Sequence, residues 1–333
     1  MLIVMDRDAT AAQIEEVAGL VRSMGLRAQV LPGSIRTAVG VMGNAGYVDA
    51  DQVLLMPGVK EIIHVSKPYK LVSREWKHED TVVRVGNAAI GGASPFVVIA
   101  GPCSVESLEQ TVGCAAQVKK LGAGIFRGGI FKPRTTPYAF RGLGEEGARI
   151  LEEVRRTVGL PVVTEVMHVN QLELLAGCAD MLQIGTRNMQ NFDLLLEAAR
   201  TGMPILLKRG MSALLEEWLL AAEYILDAGN PQVVLCERGI RTFETATRNT
   251  LDLNCLALAR ELSHLPVIAD PSHGTGRASL VTPLSLASRA AGAHGVMVEV
   301  HPDPRRALSD GQQSLDYPGF ARLMESLKAR LPA

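Results

Sequence analysis

The sequence is poor in the features that send a chain to a membrane or a nucleic acid. No apolar run approaches the roughly 20 residues of a membrane-spanning helix. Lysine plus arginine number 34 against 35 aspartate plus glutamate, a formal net charge of −1, so any anion binding must come from local clusters. The opening residues, MLIVMDRDAT, lack the basic region and long apolar core of a secretory leader. Cysteine is scarce: five residues, at 103, 114, 178, 236 and 255, odd in number and scattered. That usage argues for a reducing compartment. The expectation is a cytoplasmic protein with no nucleic-acid or membrane partner. No GxGxxG turn follows the first strand of the repeating region, which removes the main argument for a doubly wound dinucleotide-binding sheet.

What is present divides the chain. Residues 1–65 read as a small unit of order βαββαβ. It has a strand at Leu2–Met5, a helix capped by Thr10, extended runs at 27–31 and 35–42, a short helix near Asp49–Leu55 and a strand at Val59–Val65. This is the ferredoxin-like split βαβ pattern. His64 reads there as a strand residue. Residues 66–80, SKPYKLVSREWKHED, are polar and read as a linker.

From residue 81 a short hairpin precedes a regular alternation of apolar strand and amphipathic helix. Strands read at 96–100, 124–127, 162–166, 181–184, 205–208, 233–236, 267–270 and 296–300, with helices between and a last helix near 317–331. Eight βα units in succession predict a (β/α)8 barrel over residues 81–333, with any chemistry at the C-terminal strand ends.

Those ends are polar at every strand. The stretch after the second strand, RGGIFKPRTTPYAFRGLG, holds Arg127, Lys132, Arg134 and Arg141 with Thr135 and Thr136, and contains no acid. Such a loop repels itself unless an anion sits in it. Arg187, Lys208 and Arg238 end other strands, enough charge with Arg127, Lys132 and Arg134 for several phosphates or carboxylates. Glu165 ends the third strand. Cys103, His273, Glu299 and Asp310 offer a soft sulfur, a nitrogen and two oxygens, a set that suits a borderline divalent metal such as manganese, iron, cobalt or zinc. Taken singly, Cys103 reads equally as packing, His273 as a turn residue and Glu299 as an ion-pair partner. The remaining cysteines read as packing residues.

The motifs IAGPCSVES, FRGGIFKPRTTPYAFRGLG, QIGTRNMQN, LLKRG, LCERGIRTFE, DPSHGTGR and VEVHPDP with ALSDGQQSLD cover the whole barrel. They resemble the 3-deoxy-D-arabino-heptulosonate 7-phosphate (DAHP) synthases, beta subgroup of class I. Thr186 departs from the alanine usual there. The resemblance implies condensation of phosphoenolpyruvate with erythrose 4-phosphate, releasing phosphate, in the first step of the shikimate route to aromatic amino acids. It implies Cys103, His273, Glu299 and Asp310 as metal ligands. Phosphoenolpyruvate would lie on Arg127, Lys132, Arg187, Lys208 and Arg238, and the aldose phosphate on Arg134 and Thr135. Glu165 would lie beside phosphoenolpyruvate, and Lys132 would be the proton donor. It further implies a regulatory N-terminal unit sensing tyrosine or phenylalanine, and a homotetramer. The rival readings are the eight-carbon sugar-acid phosphate synthase, which has a different loop where Lys132-Pro133-Arg134-Thr135 stands, and a non-catalytic amino-acid sensor.

Overall fold

Two compact units make up the chain, Met1–Lys70 and Leu71–Ala333. The computed structural model describes residues 1–33, 35–43, 50–63, 68–133, 136 and 138–329. His64, Arg134 and Thr135 lie outside the described residues.

In the first unit β1 (Leu2–Met5), α1 (Ala11–Ser23), β2 (Arg27–Pro32), β3 (Thr37–Met42), α2 (Asp51–Leu54) and β4 (Val59–Ile63) follow in order. The sheet runs β2-β3-β1-β4 with every neighbouring pair antiparallel, the ferredoxin-like arrangement. Thr10 starts α1 by a reciprocal cap. Its hydroxyl accepts the Gln13 N–H at 3.3 Å, and the Gln13 side-chain oxygen accepts the Thr10 N–H at 2.8 Å. The buried face of α1, Val17, Ala18 and Val21, packs with Ile3, Met5, Val39 and Val41.

The second unit begins earlier than polarity suggests. Residues 71–80 belong to it, although their composition reads as a linker. Leu71 and Val72 are buried, and their N–H groups donate to the two Glu223 carboxylate oxygens at 2.8 and 2.9 Å. Arg74 donates to the carbonyls of Arg260 and Ser263. The long polar side chains of this strap hide a few buried anchors, which a reading by composition misses.

A hairpin follows, β5 (Val83–Val85) and β6 (Ala88–Ile90). The barrel strands are β7 (Val97–Gly101), β8 (Ile125–Arg127), β9 (Val162–Val166), β10 (Met181–Ile184), β11 (Ile205–Lys208), β12 (Val233–Glu237), β13 (Val267–Ala269) and β14 (Gly295–Glu299). Their helices are α3 (Leu108–Leu121), α4 (Glu145–Thr157), α5 (Leu172–Cys178), α6 (Phe192–Arg200), α7 (Leu215–Asp227), α8 (Leu253–Leu262), α9 (Pro271–Thr275), α10 (Ala278–Ala290) and α11 (Tyr317–Lys328). The eight strands are parallel and close on themselves where β14 pairs with β7, Gly295 opposite Val97 through Glu299 opposite Gly101. Pro283 lies inside α10 rather than at its start.

Strand alternation then builds the interior. Ile99, Ile125, Val163, Met181, Leu206, Cys236, Ile268 and Met297 form one buried cluster with Val83, Val85 and Ile90 of the hairpin. The hairpin therefore closes the N-terminal end of the barrel. Two residues further along the same inward registers stand Arg127, Glu165, Gln183, Lys208, Arg238, Asp270 and Glu299. The lower barrel is an apolar plug and the upper barrel is charged.

Candidate active site

At the C-terminal strand ends Cys103, Glu299 and Asp310 offer ligand atoms within 4.8 Å of one another. Cys103 Sγ lies 3.4 Å from Asp310 Oδ2. His273 Nε2 lies 3.5 Å from Glu299 Oε1 and 3.8 Å from the same Asp310 oxygen. His273 is fixed from behind: its backbone N–H donates to Asp270 Oδ1 at 2.9 Å, and Nδ1 meets Asp270 Oδ2 at 2.8 Å. Asp270 also receives the Lys208 ammonium. Burial alone would raise the Asp270 carboxyl, but His273 and Lys208 outweigh it and hold it well below the usual carboxylate range. Burial pushes the His273 imidazole down, which keeps Nε2 free to act as a donor atom.

Of the two carboxylates in this cluster, Glu299 is only half hydrogen-bonded. Glu299 is fully buried, and its Oε2 accepts from Gln313 at 2.8 Å. Its Oε1 lies 3.2 Å from an Arg127 nitrogen yet has no hydrogen-bond partner. Asp310 is the one non-glycine residue with positive φ among the described residues, at 51°. Such a conformation is uncommon and marks positions that local contacts hold in place. Burial would raise its carboxyl, but His273, Arg248 and further partners lower it to about 2. Burial, with Glu299 next, raises the Cys103 thiol to about 11, so the sulfur stays protonated until a cation draws it into a thiolate. A buried sulfur, an imidazole nitrogen and an orphaned carboxylate oxygen aimed at one point fit a borderline divalent ion.

Beside this cluster lie the cations. A cleft of about 210 Å³ is lined by Lys132, Glu165, Arg187, Lys208 and Arg238, with His273 and Asp310 at one side. Lys132 is buried, donates to the Cys103 carbonyl at 3.0 Å and lies 4.0 Å from Glu165. Arg127 is 3 % exposed, and its Nε and Nη1 are buried without partners. Arg238 is 4 % exposed, and no carboxylate stands within ion-pair distance of it among the described residues. Burial pushes its guanidinium down. An unpaired buried cation is costly and invites a mobile anion. Arg187 is exposed at the cleft mouth.

Thus Cys103, His273, Glu299 and Asp310 come together, as do Arg127, Lys132, Glu165, Lys208 and Arg238. Sequence reasoning passed over Asp270, Gln183, Arg248 and Gln313. Asp270 carried a usable signal, being two residues beyond the inward Ile268 and three before His273. Arg209 and Glu237 take the outward register. They pair at 3.0 Å and tie the ends of β11 and β12 from outside.

Fold and rim define a (β/α)8-barrel enzyme with its chemistry at the C-terminal strand ends. The chain belongs to the DAHP synthetase I family, which matches residues 73–332; the DAHP synthase ferredoxin-like domain matches residues 1–67. It is 48% identical to a phospho-2-dehydro-3-deoxyheptonate aldolase of Thermotoga maritima, over 98% of this chain and 97% of that protein. The crystal structure of the DAHP synthase from Thermotoga maritima superposes with a TM-score of 0.78 at 48% identity, covering 98% of this chain and 96% of that one. A 2-dehydro-3-deoxyphosphooctonate aldolase of Methylobacterium radiotolerans is more distant, at 35% identity over 74% of this chain and 93% of its own.

Proposed function

We propose that this enzyme is a DAHP synthase, joining phosphoenolpyruvate, erythrose 4-phosphate and water into DAHP and inorganic phosphate. The observation that carries the reading is the pair Arg127 and Arg238. Both are buried next to the thiol, imidazole and carboxylate cluster; Arg127 has two buried donors without partners, and Arg238 has no carboxylate within ion-pair distance among the described residues. Phosphoenolpyruvate supplies the phosphate and carboxylate that such cations require. In this reading Arg127, Lys132, Arg187, Lys208 and Arg238 hold it, and Arg134 and Thr135 hold the aldose phosphate.

Cys103, His273, Glu299 and Asp310 would hold a divalent ion, which when bound supplies Lewis-acid polarisation of the aldehyde. The third carbon of phosphoenolpyruvate attacks the aldehyde carbon. The Lys132 ammonium, set between the Cys103 carbonyl and Glu165, gives its proton to the forming alkoxide. Positive charge left at the second carbon is captured by water, which Glu165 orients. The hemiketal phosphate then collapses by carbon–oxygen cleavage, and the cations accept the departing phosphate. Holding both substrates in contact lowers the barrier by proximity.

Residues 1–65 form the regulatory unit in this proposal, with tyrosine or phenylalanine as its ligand, and the protein acts as a cytoplasmic homotetramer. The described clustered groups all lie after residue 100, which supports a separate role for the first unit. No described helix is long and apolar enough to cross a membrane.

The test is product analysis with erythrose 4-phosphate against arabinose 5-phosphate, before and after chelation and with Mn²⁺ restored. The expected result is a seven-carbon product with one phosphate released per turnover, abolished by chelator and regained with metal. Preference for the five-carbon sugar, or full turnover in metal-free protein, overturns the reading.

A further inference from the structure

We infer that Arg248 and Gln313 are positioning residues for the metal site, Arg248 being brought there by the loop after β12. The inference rests on the proposal that Cys103, His273, Glu299 and Asp310 are the ligands. Each carboxylate there presents one oxygen inward, and the other is held from outside. Asp310 Oδ2 faces Cys103 and His273, while Oδ1 lies 3.3 Å from Arg248 Nη1. Glu299 Oε1 faces His273, while Oε2 accepts from Gln313 Nε2 at 2.8 Å. Arg248 Nη1 also donates to Gln313 Oε1 at 2.8 Å. One guanidinium thus links the outer oxygens of both carboxylates, directly to Asp310 and through Gln313 to Glu299.

The same loop grips the third segment. The Arg248 N–H donates to the Thr275 carbonyl at 3.0 Å, and the Asn249 amide to the His273 carbonyl at 2.9 Å. This close approach explains the glycines of DPSHGTGR. Gly276 has φ +71°, and a Cβ there would come within 2.4 Å of Arg248 Cβ. The loop starts at Arg238 in the anion cleft and reaches Arg248 at the carboxylates, so one segment touches both halves of the rim.

Arg248 brings a positive charge towards a cation site, which alone would weaken metal binding. Its side chain is 38% exposed, so water and salt screen that repulsion. Orientation acts unscreened: Asp310 sits in the left-handed region and Glu299 is fully buried, so each needs its outer bond to aim its free oxygen. Outer partners of metal ligands are typically worth 10- to 100-fold in affinity.

The test measures Co²⁺ binding by full-length protein, in competition with a fluorescent chelator, and follows the near-ultraviolet thiolate-to-cobalt band. Arg248→Ala and Gln313→Ala are expected to weaken Co²⁺ by about 10- to 100-fold while keeping the thiolate band at saturation. Arg248→Lys keeps one charged nitrogen on a shorter side chain in place of Nη1 and is expected to fall between. Dissociation constants within twofold of the parent in folded Arg248→Ala and Gln313→Ala overturn the inference while leaving the ligand set intact. If the parent shows no thiolate band, the ligand set fails and this inference with it. Should the buried Gln313→Ala not fold, the exposed Arg248 variant decides alone.

Discussion

Gly185 lies directly beneath the Glu165 carboxylate, so close that a Cβ on it would stand 1.9 Å from Oε1. The glycine of QIGTRN is therefore a seat for the acid on the neighbouring strand. Gly185→Ala should displace the Glu165 carboxylate from its present position, 4.0 Å from Lys132. A shift of about 1 Å at a reacting group can cost on the order of 100-fold in rate. The expected outcome is kcat lowered about 10- to 100-fold with a native circular dichroism spectrum. An unchanged kcat would show that Glu165 has no part in the chemistry.

Arg238 sets function against stability. It is buried and lacks a carboxylate partner among the described residues, and burial lowers its guanidinium pKa. Arg238→Met keeps the volume and removes the unpaired charge, a change often neutral or stabilising by roughly 1–4 kcal/mol. The thermal midpoint of the ligand-free protein should rise while KM for phosphoenolpyruvate increases more than about 10-fold. A lower midpoint with unchanged KM would count against an anion seat at this residue.

Asp270 serves two partners, so its loss should show twice. Asp270→Asn leaves the Lys208 ammonium buried without its counter-charge and lets the His273 ring adopt the wrong tautomer. Breaking a buried pair from one side costs on the order of 3–5 kcal/mol. Urea denaturation should register that loss, and chelator competition should register a metal affinity lowered about 10- to 100-fold.

Acid sensitivity should arise at the closed end of the barrel. Burial pushes His264 and His294 down to about 4, against 6.5 unperturbed. His264 is held between Thr81 Oγ1 at 2.8 Å and the Leu71 carbonyl at 2.7 Å, with Lys77, Arg74 and Asp80 around it. His294 Nδ1 accepts the Val267 N–H at 3.0 Å, near Arg260, Asp80 and Arg74. Both pKa values are depressed in the folded state, so the unfolded chain binds more protons between pH 6.5 and about 4. The stability they confer is complete above 6.5 and is lost as pH falls towards 4. Each contributes a slope of up to about 1.4 kcal/mol per pH unit. Denaturation from pH 7 to 5 should show the slope, and His264→Gln with His294→Gln should flatten it.

The barrel was legible because its strands are short apolar runs that each end in a polar group, and period-two alternation carries both facts at once. Arg127, Glu165 and Glu299 stand out for that reason. Arg248 and Gln313 do not, since they reach the rim from loops whose paths no periodicity reports. The strap at 71–80 was misjudged for a related cause: Leu71, Val72 and Trp76 are buried among residues whose long polar heads dominate the composition. The apolar and acidic neighbours that hold them, such as Glu223, are far away in sequence.

With its floor sealed by the β5–β6 hairpin, the barrel is a cup and not a pipe. Whatever enters by the rim must leave by the rim. In the proposed reaction, departing phosphate and the next phosphoenolpyruvate would share that one doorway. On the proposed reading, added inorganic phosphate should therefore compete with phosphoenolpyruvate for entry.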